Sequence, residues 1–259
     1  MTWFHLMNPS FISIKKFNQK PYSKILGYPT ATTRQLNSRI KELEKLGIKS
    51  ISLTGPTTIG KLAILGKGYV GVVVLAKKNN KQVALKIRRT DSQRDEMKSE
   101  AMLLKLANSV DVGPKMFEVS KNFLVMEYFD GVKIGKWVEE LQGRGSVKKL
   151  KTVIKKILED CYRLDQIDLD HGELSNISKH VIVGETKNAI IDFESSSTKR
   201  RSSNVTAITQ AIFIGSGIAK KIQKLYKNPT KDKIIASLKQ YKKEKTLENF
   251  EAVLNVLKL

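Results

Sequence analysis

The sequence predicts an α+β fold, rich in strands through its first half and helical through its second. Two stretches carry that prediction. From Leu62 to Ile87, short valine-rich runs flank a glycine-rich turn and then an Asn79-Asn80 pair, the pattern of consecutive β-strands. From 146 to 165, Val147, Leu150, Ile154, Ile157, Cys161 and Leu164 recur by threes and fours, the pattern of one long amphipathic helix. The 259 residues leave room for two lobes, or for one domain with a small one appended. At 41 % hydrophobic and 28 % charged, the composition is that of a globular chain.

Several classes are excluded at this level. No apolar run approaches the roughly 20 residues of a membrane span. The opening MTWFHLMNPS has no basic start followed by an apolar core, so a cytoplasmic location is expected. A single cysteine, Cys161, rules out an internal disulfide framework and a cysteine-rich zinc site, and its place in the helical stripe makes it a small apolar core residue. The net charge of +22, from 47 basic residues, has two readings: a lysine-rich solvated surface, or contact with a polyanion such as RNA or a ribonucleoprotein.

In chain order, residues 1–28 are broken up by prolines and glycine and read as a short strand or loose arm. Residues 30–47 read as a helix capped by Thr32 or Thr33, with Leu36, Ile40 and Leu43 on one face and Gly47 closing it. Arg34, Arg39 and Lys41 are read there as solvated charges. Ile48–Leu53 alternates as a strand, and Gly55-Pro56 makes a joint. Residues 1–55 are therefore an N-terminal extension, either packed on the strands after the joint or a small winged-helix-like module. Met97, Ala101, Leu104 and Ala107 define another helical face. Met116–Val119 and Phe123–Tyr128 read as a strand pair, Trp137–Leu141 as a short helix, and Val181–Val183 and Ala189–Phe193 as strands. Helical spacing resumes at Ile208, and helices near 231–241 and 246–258 end the chain. From Ala219 to Leu259 there are eleven lysines against four acids, the most basic stretch and the best candidate for a polyanion contact.

The chemistry begins at LGKGYVGVVVLAKKNNKQVALK. Gly66, Gly68 and Gly71 have G-x-G-x-x-G spacing with Val73 two residues on, and a valine-rich strand rather than a helix follows. That is the wrong context for a dinucleotide fingerprint. It suits a hairpin folded over phosphates, where missing Cβ atoms let backbone N–H groups reach an anion. Lys86 then stands inside an apolar strand, where a charge needs a partner.

Glycine loop, paired strands and the V-A-x-K lysine together resemble the protein-kinase signature. The resemblance covers about residues 60–215 and also rests on an acid in the next helix, on HGEL at 171–174 and on IDFE at 191–194. It is nearest to the RIO-like and archaeal predicted serine/threonine kinases, relatives of the small kinase of the KEOPS tRNA-modification complex. The resemblance implies a bilobal kinase-like fold with residues 56–129 as a β-rich N-lobe, 130–259 as a helical C-lobe, and a trimmed activation segment. By the same match, Leu65, Gly66, Gly68, Gly71, Val73 and Ala84 surround ATP. Lys86 holds its α- and β-phosphates, and Glu100 pairs with Lys86, Glu96 being the rival one turn earlier. Met126 is the gatekeeper, while Glu127 and Phe129 offer backbone groups to the adenine. Asp192 is the Mg²⁺ ligand.

Two departures stand out. Glu173 takes the place of the family's catalytic aspartate, keeping the carboxylate at altered reach. The metal-binding asparagine expected five residues after that acid is absent; Ser178 is there, Asn176 lies nearby, and His180 precedes the next strand. Asn176 is taken as the second metal ligand, with Ser178 and His180 as alternatives, although imidazole suits a hard ion poorly. His171 is read as bracing the loop. Glu194 replaces the glycine of D-F-G. The serines and threonines of 195–203, before Asn204, are self-phosphorylation candidates, and Arg200 and Arg201 are read as a solvated loop or as a contact for an acidic partner or a phosphate. The function implied is an ATP- and Mg²⁺-dependent serine/threonine protein kinase acting on an unidentified protein hydroxyl, or an ATPase using water. The alternative is a nucleotide-binding scaffold on RNA, ribosome or a modification complex. A small-molecule kinase is a third option.

Overall fold

The computed structural model describes residues 9–93, 97–215, 217–226 and 229–259. The chain divides into two units, Met1–Met102 with Lys115–Tyr128, and Leu103–Pro114 with Phe129–Leu259. The first is rich in strands and the second is mostly helical, an α+β architecture.

The first unit opens with β1 (Phe11–Ser13), a 3-10 turn at Ile14–Asn18, α1 (Ser23–Leu26) and α2 (Thr33–Lys45). Thr32 caps α2 with a capping box: the Gln35 N–H donates to Thr32 Oγ1 (3.2 Å) and the Thr32 N–H to Gln35 Oε1 (2.8 Å). Then follow β2 (Ile48–Ser52), β3 (Thr57–Ile59), β4 (Leu62–Ile64), β5 (Gly66–Lys67), β6 (Gly71–Lys78), β7 (Lys81–Arg88), the start of α3 (Lys98–Asn108), β8 (Met116–Val119) and β9 (Phe123–Glu127). One antiparallel sheet runs in the order β1-β2-β6-β7-β9-β8, with β5 pairing β6. Residues 11–52 thus supply two of its strands and α2. Asn79 and Asn80 both have positive φ, which fits the right-handed twist of a two-residue hairpin between β6 and β7. Leu36, Ile40 and Leu43 of α2 share a core with Ile51, Val72, Val74, Leu85, Ile87 and Val125.

Arg39 differs from its expected solvated state. It is buried, with its guanidinium donating to the Leu26 carbonyl and to Asn122 Oδ1, and desolvation pushes its pKa down to about 10, the nearby Arg88 adding to the effect. Its position between Leu36 and Ile40 on the buried side of α2 takes it into the core, and those acceptors compensate the charge. Glu96, the rival partner for Lys86, lies outside the described residues.

The second unit holds the rest of α3, then β10 (Gly131–Lys133), α4 (Ile134–Glu140), α5 (Ser146–Gln166), α6 (Ile177–His180), β11 (Val181–Gly184), β12 (Asn188–Ile190), α7 (Asn204–Phe213), α8 (Ile218–Leu225), α9 (Lys231–Lys243) and α10 (Leu247–Leu257). β10, β11 and β12 form a small antiparallel sheet. Leu150, Ile154, Ile157, Cys161 and Leu164 bury the stripe of α5, while Val147 is 37 % exposed: it lies in the first turn, ahead of the buried run. The strand expected over Ala189–Phe193 stops at Ile190, because Asp192 turns into the left-handed region (φ 71°) and Phe193–Ser195 forms a 3-10 turn. Among the described residues no helix is long and apolar enough to cross a membrane.

Candidate functional site

The candidate residues of the first unit stand on regular structure. Lys86 lies in β7, opposite Val73 of β6 and Leu124 of β9, so both sides of its strand are paired. Its side chain is only 5 % exposed, and Nζ donates to Glu100 Oε1 at 2.7 Å from an equally buried carboxylate. An ammonium withdrawn from water this far is tolerated only beside such a partner.

The glycine turn precedes this pair. Gly66 opposes Val73, the Leu65 N–H donates to the Val73 carbonyl (3.0 Å), and the Gly68 N–H donates to the Gly71 carbonyl (2.8 Å). A Cβ at Gly71 would lie 2.9 Å from the Ile87 carbonyl oxygen and 3.0 Å from Lys86 Cγ, so glycine is required where the strand passes the lysine. A Cβ at Gly66 would meet nothing within 4 Å, so the space on that side of the strand is open. Arg89 braces the turn, its N–H donating to the Val70 carbonyl (2.8 Å) and its guanidinium to the Gly68 carbonyl (3.3 Å). Ala84 is buried, opposite Met126, which is half-buried at the end of β9. The Glu127 N–H is taken by the Lys115 carbonyl (2.8 Å). Phe129 belongs to the second unit, where Lys187 Nζ stands 4.6 Å from its ring centroid.

In the second unit Glu173 and Asp192 each stand just ahead of a 3-10 turn, Asn176 ends the first of these turns, and Ser178 and His180 lie on α6. Glu173 follows Gly172, whose φ of +86° and whose approach to Ser195 O and Arg200 Nη2 exclude a side chain. Both Glu173 carboxylate oxygens are engaged: Ser195 Oγ donates to Oε1 (2.6 Å) and His180 Nε2 lies 2.9 Å from Oε2. Asp192 heads the following 3-10 turn. An aspartate tolerates the left-handed region better than most side chains. A carboxylate oxygen of Asp192 and one of Glu194 lie within 4.8 Å of each other, so Glu194 sets a second hard oxygen donor beside the first. Such a donor pair fits Mg²⁺. Asn176 is exposed, with its N–H on the Glu173 carbonyl (2.9 Å). Ser178 Oγ lies 3.2 Å from where a Cβ on Gly135 would be, and His180 is committed to Glu173.

A buried network holds these loops. His171 is fully buried; its Nε2 meets the Ile191 carbonyl at 3.1 Å and its backbone N–H donates to Asn204 Oδ1 at 2.9 Å. Burial pushes its pKa down to about 4, so it stays a neutral brace near pH 7. Asn204 also donates to the Leu169 carbonyl (2.7 Å) and to Asp165 Oδ1 (2.9 Å). Asp165 accepts as well from the backbone N–H groups of Asn204 and Val205 and from Tyr241 Oη. Burial raises its pKa, and these hydrogen bonds oppose the shift. Arg200 is exposed, as a solvated loop residue would be, yet it is also tied within the chain, Nε donating to Asp170 Oδ2 (2.9 Å) and Nη2 to the Ser195 carbonyl (2.7 Å). Arg201 donates to the Lys242 carbonyl. Sequence reasoning does not single out Asp165 or Asn204, and takes Ser195 only as a phosphorylation candidate, not as a partner of Glu173. Asp165 had a signal: it falls four residues after Cys161, where the apolar stripe calls for a core side chain. Ser195 and Asn204 had none.

No family model matches the chain. Over 98 residues, which are 38 % of this chain and 80 % of the relative, it is 29 % identical to the uncharacterized protein MJ1211 of Methanocaldococcus jannaschii.

Proposed function

We propose that this chain is an ATP-dependent phosphotransferase of the atypical, RIO-like protein-kinase type, transferring the γ-phosphate to a serine or threonine hydroxyl. The observation that carries the reading is the buried Lys86–Glu100 pair at 2.7 Å, on the strand beside a glycine turn. The carboxylate fixes the ammonium in one direction, as a group binding α- and β-phosphates requires. The open space beside Gly66 lets a phosphate approach the turn closely. Asp192 with Glu194 supplies carboxylate oxygens for Mg²⁺, which when bound neutralises phosphate charge. Glu173 orients the acceptor hydroxyl and takes its proton, with its carboxylate held by Ser195 and His180.

The deciding measurement is radiolabelled Mg-ATP turnover, scored separately for label on protein and for free phosphate, in wild type, Asp192→Ala and Glu173→Ala. Label on protein that both substitutions abolish is the expected result. Free phosphate alone, lost in Asp192→Ala, would redefine the chain as an ATPase. ATP binding with no turnover would overturn the enzyme reading in favour of a nucleotide-binding scaffold on RNA or a ribonucleoprotein. Glu173 in place of aspartate, and Ser178 where the metal-binding asparagine is expected, favour that second reading.

A further inference from the structure

Glutamate at position 173 brings a mechanical problem. Compared with aspartate it has one more rotatable bond between backbone and carboxylate, and a group that must meet a hydroxyl within a fraction of an ångström has to be held. Ser195 Oγ holds one oxygen (2.6 Å), and His180 Nε2 approaches the other (2.9 Å). A carboxylate accepts, so Nε2 carries the proton of this bond.

His180 is itself fixed. It is 4 % exposed, closes α6 just before β11, and its ring lies edge-on to His171 with centroids 5.3 Å apart. His171 in turn packs edge-on against Phe193 at 5.0 Å and is anchored to Ile191 and Asn204. The backbone of His180 also contributes, because its carbonyl accepts the Ile191 N–H at 2.9 Å, in the residue directly before Asp192. One residue therefore touches the Glu173 carboxylate with its side chain and the approach to Asp192 with its main chain.

We propose that His180 is a positioning residue, fixing Glu173 for proton transfer and offsetting the extra methylene that distinguishes glutamate from aspartate. The assignment takes His180 away from the metal-ligand role open to it in the sequence. It rests on the phosphotransferase reading and deepens it.

The test uses the full chain and Mg-ATP turnover in wild type, His180→Ala, His180→Gln and Ser195→Ala, with thermal melting of each as a control. His180→Ala is expected to lower kcat by about 10- to 100-fold, the scale of a misplaced catalytic group. KM for ATP should move by less than about twofold, because binding is not what the residue supports. His180→Gln keeps a side-chain N–H and should recover part of the loss. A folded His180→Ala variant with wild-type kcat, or a His180→Gln variant that recovers none of the loss, would overturn the assignment while the phosphotransferase reading stood. Absence of turnover in wild type would overturn both, and the fault would then be common to every variant.

Discussion

In the first unit Lys86 is held by a paired strand and Glu100 by a helix, and their contact closes across fourteen residues of sequence. In the second, Glu173 follows a glycine with positive φ and Asp192 adopts that conformation itself, and side chains rather than sheet hydrogen bonds hold the Glu173 carboxylate. In the first arrangement backbone periodicity sets the two positions, and one specific buried pair joins them. The second depends on His171, His180, Ser195, Asn204 and Asp165 being those residue types, because each supplies a specific donor or acceptor.

The largest expected effect tests the first arrangement. Glu100→Ala removes this carboxylate from a buried ammonium, and a broken buried pair costs about 3–5 kcal/mol. Denaturant unfolding should register that loss, with Lys86→Met/Glu100→Leu recovering part of it. A change within experimental error would mean that the pair is not buried in solution.

A smaller effect, in pH, tests the second. His171 has its pKa depressed from an ordinary 6.5 to about 4, so between those values the unfolded chain binds the proton and the folded chain does not. Stability contributed by keeping the ring neutral is fully present above pH 6.5 and is lost as pH falls, by up to roughly 3 kcal/mol near pH 4. Stability measured from pH 7 to 4 should therefore fall in wild type and flatten in His171→Gln. Equal slopes in the two proteins would show that the buried network is not closed around that histidine.

The smallest effect returns to the first unit. Thr32→Ala deletes the capping box of α2 and should lower stability by about 1 kcal/mol, read as a modest drop in melting temperature. A loss comparable to that of Glu100→Ala would contradict the distinction between replaceable local signals and specific buried pairs.

Legibility in the sequence divides along the same line. The β6–β7 hairpin could be read because the valine-rich run and the Asn79-Asn80 pair are local signals. The stripe of α5 could be read because its spacing repeats for five turns, although Val147 at its start is exposed. Arg39 could not: an arginine between Leu36 and Ile40 looks solvated until the Leu26 carbonyl and Asn122 are known to meet it. Arg200 was legible as a cation but not as the partner of Asp170, thirty residues back.

By itself the sequence determined where strands and helices form and which residues carry charge, since periodicity, caps and turn residues act over a few positions. It also placed Lys86 and a helix acid at a spacing where pairing is worth expecting. Tertiary structure alone decided that Ser195 and His180 share the Glu173 carboxylate and that Asn204 reaches back across thirty-nine residues to Asp165. A hydrogen bond requires its partners within about 3 Å and correctly aimed, and the loops bringing them together leave no periodic trace in the chain.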